Sequence, residues 1–218
     1  PAPVPSNLSS LQKRRRFYLA SIVFLAAFTS LFCGAIWDGA DHGIHEAIEF
    51  TGLGLVVVCI LGRTWCTLYI GGRKKEELVC MGPYSLFRNP LYVFSISGVV
   101  GIGLTTGSLL AGLVLGLLIF LVFDWIVRHE EVYLANAFGA PFAEYCRKTP
   151  RWLPRFSAWQ DAESVEARPR LMAVTFREAL LLLIALPLLE GIEWLQASGF
   201  LPVLLRLPCM LDASSGGL

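Results

Sequence analysis

The sequence feature that most constrains the fold is a nearly continuous apolar block at residues 91–127. Written as one α-helix, its roughly 37 residues would extend about 55 Å, whereas the hydrocarbon core of a bilayer is about 30 Å thick. The block must therefore fold back on itself, and the small polar residues at 105–108 supply the turn. We predict a tight helical hairpin, whose first arm carries small residues that allow close packing in lipid, namely Gly98, Gly101 and Gly103.

Three more apolar segments lie outside this block, at residues 17–37, 47–70 and 176–195. The last has an outer limit at Leu207 and contains Pro187, which would kink it. Hydrophobic residues make up 55% of the 218-residue chain and charged residues only 16%, and a soluble domain of this size needs more charge to cover its surface. The sequence therefore predicts an all-α, polytopic transmembrane helical bundle of about five spans, two of which form the hairpin.

The positive charges are segregated in a way that predicts orientation. All 18 lysines and arginines except Arg63 and Arg206 precede span one, or lie between spans two and three or between spans four and five, with Arg177 at the very start of span five. The loop at 38–46 is acidic, and the hairpin turn carries no charge. Because positive loops stay in the cytoplasm, we expect a multi-pass protein with a cytoplasmic N-terminus, in a bacterial inner membrane or, in a eukaryote, the endoplasmic reticulum. The net charge of +1 provides no basic field for nucleic acid.

Two polar stretches on the predicted cytoplasmic side carry the residues suited to chemistry. The first reads GPYSLFRNPLY at residues 82–92, and the second begins at the end of span four with a pair of glutamates, Glu130 and Glu131. Since the two arms of a hairpin end side by side, the glutamates should meet the cluster formed by Arg88, Asn89 and Tyr92. Carboxylates accept hydrogen bonds from ribose hydroxyls, and aromatic faces favour a cation such as a sulfonium. The alternative interpretation is that these charges only anchor helix ends at the membrane interface.

The first stretch resembles the G-P-Y-x-x-x-R-H-P-x-Y motif of the isoprenylcysteine carboxyl methyltransferase and phospholipid N-methyltransferase superfamily. The second is similar to that family's E-E-x-x-L…F-G…Y…R-x-L-P block, through Glu130, Glu131, Leu134, Phe138, Gly139, Tyr145, Arg151, Leu153 and Pro154. The likeness extends from about residue 62 to residue 154. It implies an integral membrane methyltransferase that uses S-adenosylmethionine and acts on a lipid or another lipophilic small molecule entering from the bilayer.

The resemblance also assigns roles by motif position. The implied cofactor-binding residues are Gly82, Pro83, Tyr84, Asn89, Pro90, Tyr92, Glu130 and Glu131. The implied catalytic residues are Glu130 and Arg88, the latter at the junction with the substrate. Asn89 stands where the family has histidine, and asparagine forms hydrogen bonds but does not titrate near neutral pH. A proton-accepting role is therefore not expected at Asn89, although methyl transfer from a sulfonium depends chiefly on positioning.

The end of the resemblance near Pro154 divides the chain into three parts. We expect a cytoplasmic tail at 1–16, a methyltransferase-like membrane core at 17–154 and an extension with one further span at 155–218. The extension and Asn89 keep a second hypothesis open, in which the protein is a non-catalytic membrane subunit that retains the fold and docks a membrane protein partner. A transporter is not favoured, because the sequence has no internal repeat.

Arg63, near the end of span two, has three interpretations. It could pair with Asp124, reach the carboxylate of the cofactor, or anchor the helix at the interface. His42 and His45 have the spacing of metal ligands on one helix face, but no third ligand is evident, so we expect a solvated loop and no metal site. The six cysteines form no C-x-x-C pair and are expected to be reduced, buried thiols.

Overall fold

The computed structural model describes residues 33–36, 42–71, 77–200 and 205–208, and the regular structure within them is helical apart from two short strands. The helices are α1 (His42–Ile70), α2 (Pro83–Leu86), α3 (Pro90–Leu104), α4 (Leu109–Phe138), α5 (Ala140–Lys148), α6 (Pro169–Leu180) and α7 (Ala185–Ala197). Two 3-10 turns lie at Phe156–Ala158 and Leu181–Ile184. Strands β1 (Cys33–Ile36) and β2 (Leu205–Pro208) pair in parallel, with Cys33 opposite Leu205.

Two of these helices are long and apolar enough to cross a bilayer, by length and composition. They are Gly43–Ile70 within α1, with 28 residues, and α4, with 30 residues. Only 28% and 33% of the residues in their most apolar windows are buried, whereas the core helix of a soluble protein is mostly buried. At about 45 Å, α4 is longer than a hydrocarbon core of about 30 Å, so its charged last turns extend beyond an apolar layer.

Helix α3 lies between α1 and α4 and contacts both through glycines. A Cβ atom on Gly101 would lie 2.6 Å from the carbonyl oxygen of Gly52 in α1, and one on Gly103 would lie 2.6 Å from the Cα of Gly112 in α4. A Cβ on Gly98 would lie 2.6 Å from the Sγ of Cys59. The backbones therefore approach closely enough that no side chain fits between them.

Residues 105–107 form the turn between α3 and α4. Gly107 adopts a φ of +72°, and Ser108 caps α4 by accepting a 3.3 Å hydrogen bond from the amide of Ala111. The packed core between the two helices consists of Tyr92, Val99, Ile119, Phe123, Ile126 and Val127. Because this core includes Tyr92 at the start of α3 and Val127 late in α4, it fixes the start of one helix against the end of the other.

The predicted first span differs from the structure where the two can be compared. Residues 17–32 of that span lie outside the described residues, as does Trp37. Cys33–Ile36 form β1, so the prediction of helix is wrong for these four residues. The proposed outer limit of the fifth span is also wrong, because Leu207 belongs to β2, where the residue before a proline is extended rather than helical.

The fifth predicted span, residues 176–195, is interrupted rather than continuous. Helix α6 begins earlier, at Pro169, and the 3-10 turn Leu181–Ile184 separates it from α7. Pro187 lies in the first turn of α7 and has no N–H to donate to the carbonyl four residues before it, so the α-helix breaks there. The predicted loop at 38–46 is helical from His42 onward, and His45 Nε2 lies 3.0 Å from Oε1 of Glu49.

Candidate functional site

A cavity lies where α1, α3 and α4 meet α5, and it encloses about 670 Å³ of empty space, part of which is open to solvent. The residues predicted for the cofactor or for catalysis that line it are Tyr84, Arg88, Asn89, Pro90, Tyr92, Glu130 and Glu131. Gly82 and Pro83 precede this set and are not among the lining residues. The two polar stretches, which are separate in the sequence, thus contribute to one cavity at the shared end of α3 and α4.

The remaining wall of the cavity is mainly apolar. It is formed by Ile70, Leu78, Val79, Leu91, Leu134, Phe138, Phe142 and Tyr145, together with the carboxylate-bearing Glu77. Phe142, which lies three residues before Tyr145 on one face of α5, is a lining residue that the sequence did not predict. That spacing in a short amphipathic helix was the available signal, and it indicates burial rather than ligand contact.

The loop that carries the first polar stretch, which we call the cavity loop, depends on the backbone of Gly82. Gly82 has φ 59° and ψ −133°, a conformation that residues with a Cβ rarely adopt. A Cβ there would also lie 2.3 Å from the ring of Tyr69. Pro83 then begins the single turn of α2, and Ser85 Oγ donates to the Gly82 carbonyl at 2.7 Å. The motif's first glycine and proline therefore shape the loop rather than contact the cavity.

Residues 150–162, which we call the strap, hold this loop through backbone hydrogen bonds. The Gly82 amide donates to the Gln160 carbonyl at 2.7 Å, and the Arg88 amide donates to the Pro150 carbonyl at 2.9 Å. Between them, the Arg155 amide donates to the Leu86 carbonyl at 3.0 Å. The strap thus contacts the loop near its beginning, middle and end.

Side chains reinforce the strap at its far end. Tyr69 donates from its hydroxyl to Asp161 Oδ1 at 2.6 Å, and the rings of Trp65 and Trp159 stack with centroids 5.8 Å apart. The Gln160 amide donates to Ser85 Oγ at 3.0 Å. Part of the segment that the sequence analysis assigned to an extension is therefore packed directly against the cavity loop.

An ion-pair network joins the two polar stretches. Arg88 Nη1 donates to Glu131 Oε1 at 2.9 Å, and Arg151 donates to the same carboxylate, from Nε to Oε1 at 3.1 Å and from Nη2 to Oε2 at 2.5 Å. The side chains of Arg88 and Glu131 are each 15% exposed, so water competes weakly for these bonds. These bonds raise the pKa of the Arg151 guanidinium above its already high ordinary value, with Glu131 as the main cause.

Arg88 has further contacts that place its guanidinium at the cavity. Its Nη1 also donates to the Sγ of Cys146, at 3.0 Å. Its Nε is buried and has no hydrogen-bond partner among the residues that the structure describes. A buried guanidinium N–H without a partner is costly, so a ligand that accepts from it would be favoured.

The phenol of Tyr145 links α5 to the cavity loop. Its hydroxyl donates to the carbonyl of Tyr84 at 2.6 Å. Burial raises the pKa of Tyr145 well above its ordinary value, which favours the neutral hydroxyl that donates this hydrogen bond. Tyr92, on the opposite side, is almost fully buried, and its ring lies 4.7 Å from that of Phe123.

The suggested ion pair between Arg63 and Asp124 is wrong. Asp124 instead accepts from Arg128 Nε at 2.6 Å and from Trp152 Nε1 at 3.1 Å, with Arg151 Nη1 at 4.0 Å. Arg63 donates to Ser95 Oγ across the interface between α1 and α3. The two residues therefore belong to different parts of the helical packing.

Comparison with known proteins gives matches of two kinds. A sequence model of the family described as phospholipid methyltransferase matches residues 51–141. The cobalt-zinc-cadmium resistance protein CzcN of Cupriavidus metallidurans is 38% identical over 161 residues, which is 73% of both chains. The nickel-cobalt-cadmium resistance protein NccN of Alcaligenes xylosoxydans xylosoxydans is 38% identical over 157 residues, which is 72% of both chains.

More distant similarity reaches named methyltransferases. The protein-S-isoprenylcysteine O-methyltransferase of Schizosaccharomyces pombe is 28% identical over 94 residues, which is 43% of this chain and 40% of that protein. No solved structure gives a significant match. The match to the phospholipid methyltransferase family and the similarity to isoprenylcysteine methyltransferases agree with the motifs around one cavity: the chain belongs to the isoprenylcysteine carboxyl methyltransferase and phospholipid methyltransferase superfamily.

Proposed function

We propose that the protein is an integral membrane methyltransferase that transfers a methyl group from S-adenosylmethionine to a lipophilic acceptor. The observation that carries this proposal is that both family motifs line one cavity. The cavity lies where α3 and α4 contact each other, and α4 is long enough to cross a bilayer. A polar end with Arg88, Asn89 and Glu130 adjoins a wall of leucine, valine and phenylalanine side chains. This division suits a charged cofactor beside an apolar acceptor.

The residues present fit the cofactor. Glu130 would accept hydrogen bonds from a ribose hydroxyl or an amino group, and the Asn89 amide offers both a donor and acceptors. The buried Nε of Arg88, which lacks a partner within the described part of the chain, would donate to a carboxylate. When bound, the cofactor supplies an electrophilic methyl group on a positively charged sulfur, a charge that the carboxylate of Glu130 and the face of Tyr92 would favour.

The chain's own contribution to the reaction would be positioning and the exclusion of water. Arg88 is held by Glu131 and Cys146 through Nη1, so its Nε–H has a defined direction. The apolar wall removes water from the acceptor, which strengthens the electrostatic interactions at the polar end. Since Asn89 cannot accept a proton near neutral pH, the acceptors that fit best carry a free lone pair without help from a base.

We further propose the membrane arrangement that the charges predict. It has five spans, with the contacting pair α3 and α4 as a transmembrane hairpin and with both polar stretches on the cytoplasmic side. The division into a tail at 1–16, a core at 17–154 and an extension at 155–218 goes with it, although the strap packs on the core. Labelling of single introduced cysteines in intact bacterial cells tests this arrangement: residues 105–108 should react with a membrane-impermeant reagent, and Glu144→Cys should not.

A second candidate function is a non-catalytic subunit of a membrane assembly, with a partner docked on the C-terminal span. Asn89 in place of the family histidine favours it, as do the names of CzcN and NccN, which are resistance proteins for metal ions. On this alternative, the protein would contribute to metal resistance without methyl transfer. Stable co-purification of another membrane protein, with no transfer of label from radioactive cofactor to any lipid or protein fraction, would support it.

The direct test of the first proposal is cofactor binding by the full chain in lipid nanodiscs. Calorimetry should show one saturable site, weakened about tenfold or more in Glu130→Ala, because an unpartnered polar group on the ligand costs about 1–3 kcal/mol. The matched control is Glu144→Ala, an exposed glutamate of α5 that pairs with Lys148 and does not line the cavity. Absence of binding at millimolar cofactor would refute the proposal.

A further inference from the structure

We infer that Arg151 is a positioning residue, which orients Arg88 toward the cavity by holding Glu131 from the opposite side. The inference rests on the proposed function, since it concerns binding in the same cavity. Arg151 itself does not line the cavity, although it is part of the stretch that resembles the family's R-x-L-P block. Its effect on a ligand must therefore pass through Glu131 and Arg88.

The geometry of the Glu131 carboxylate carries the argument. Its Oε2 accepts from Arg151 Nη2, and its Oε1 is shared between Arg151 Nε and Arg88 Nη1. Arg151 thus makes a bidentate contact with Glu131, while Arg88 makes a single hydrogen bond to it. Both oxygens are engaged, so Glu131 links two guanidinium groups, and Glu130, which was predicted with it for cofactor binding, is the glutamate proposed to contact the cofactor.

The single contact is what leaves Arg88 available to a ligand. A guanidinium facing an unrestrained carboxylate prefers two parallel hydrogen bonds. With Arg151 absent, Glu131 could turn both oxygens toward Arg88 and draw its guanidinium away from the cavity. With Arg151 present, Oε2 is occupied, and the Nε of Arg88 stays without a partner in the described part of the structure.

The strap holds Arg151 and Arg88 in register. Pro150 accepts from the Arg88 amide at 2.9 Å, and the Arg151 carbonyl accepts from Asn89 Nδ2 at 3.4 Å. On its outer side, Arg151 Nη1 lies 4.0 Å from Asp124, whose other oxygen is held by Arg128. The backbone of Arg151 is therefore tied to Asn89, while its side chain contacts Glu131 on one side and Asp124 on the other.

Binding of S-adenosylhomocysteine to the full chain in nanodiscs tests the inference. Arg151→Gln should weaken binding about 10- to 100-fold, the range typical when a group that orients a binding residue is removed. Arg151→Lys should fall between Arg151→Gln and the unmodified protein, because an ammonium keeps the charge but cannot form the bidentate contact. Arg155→Gln is the matched control, since Arg155 is an exposed arginine of the same strap, and its affinity should equal that of the unmodified protein.

Two results would overturn the inference, and each is distinct from failure of the proposed function. Unchanged affinity in Arg151→Gln, with normal binding by the unmodified protein, would remove any positioning role. If affinity falls only in proportion to the melting temperature across both Arg151 variants, the role is structural. Should Arg151→Gln fail to fold, Arg151→Lys decides alone: it must lose affinity at unchanged melting temperature. If the unmodified protein does not bind, it is the proposed function that fails.

Discussion

Replacement of Gly82 by alanine tests how the cavity loop is built. Gly82 and Gly139 have nearly the same backbone conformation, with φ 59° and ψ −133° at the first and φ 58° and ψ −125° at the second. Their surroundings differ, because a Cβ on Gly139 meets nothing within 4 Å, whereas a Cβ on Gly82 lies 2.3 Å from the Tyr69 ring. The two substitutions therefore share the backbone strain, and only Gly82→Ala adds a steric clash.

The magnitudes follow from these two contributions. Backbone strain of this kind costs about 1–3 kcal/mol for a residue with a Cβ, which is the expected loss in free energy of unfolding for Gly139→Ala. In Gly82→Ala the Tyr69 ring must also move, and its hydrogen bond to Asp161 is lost, which adds about 0.5–1.5 kcal/mol. Gly82→Ala should therefore be the more destabilising, and because its loop carries Arg88 it should also weaken cofactor binding.

Denaturant titration of both variants in the same detergent, with cofactor binding measured in parallel, provides the comparison. The double variant Gly82→Ala/Tyr69→Ala should remove the clash, so its effect should be less than the sum of the single substitutions. Gly54→Ala, at an open position in α1, should raise stability by up to about 1 kcal/mol. Equal destabilisation by Gly82→Ala and Gly139→Ala would refute the packing of Tyr69 on Gly82.

Other substitutions test separate parts of the structure. Tyr145→Phe should lower the free energy of unfolding by about 1–3 kcal/mol, because it removes the hydroxyl that donates to the buried Tyr84 carbonyl. Since burial raises the pKa of Tyr145, thermal unfolding should show that this contribution persists to about pH 10. Ser85→Ala removes one hydrogen bond between loop and strap and one within the loop, so limited proteolysis should cut the strap faster, whereas unchanged cleavage would show that the backbone bonds suffice. Gly103→Leu should destabilise the chain by separating α3 from α4, while Gly191→Leu, at an open position, should have little effect on the melting temperature.

The sequence predicts the cavity well because its determinants are either local or follow from one long-range feature, the pairing of α3 with α4 in a hairpin. The apolar block at 91–127 is too long to be one membrane span, and it contains a turn at 105–107. The pairing of these two helices brings Arg88 near Glu131. Pro90 begins α3 as its position predicts, because its missing N–H costs nothing in the first turn. The crossing of a membrane by both arms stays a prediction.

The strap and the arginine network could not be predicted in the same way. The strap is attached mainly by backbone hydrogen bonds, which any sequence can form and which therefore leave no residue pattern. The sharing of Glu131 between two arginines depends on the rotamer of one carboxylate, and sequence spacing does not determine rotamers. The apolar wall from α5 was missed for a related reason, since Phe142 and Tyr145 have the spacing of any buried helix face.

A structure determined with S-adenosylhomocysteine, by cryo-electron microscopy of the full chain in nanodiscs, tests the central claim most directly. The account predicts density for the ligand in the cavity between residues 82–92 and Glu130, with a ligand oxygen within hydrogen-bond distance of Arg88 Nε. Glu131 should keep both of its arginine partners in that complex. A cavity that stays empty at saturating ligand, or ligand density elsewhere on the protein, would contradict the account.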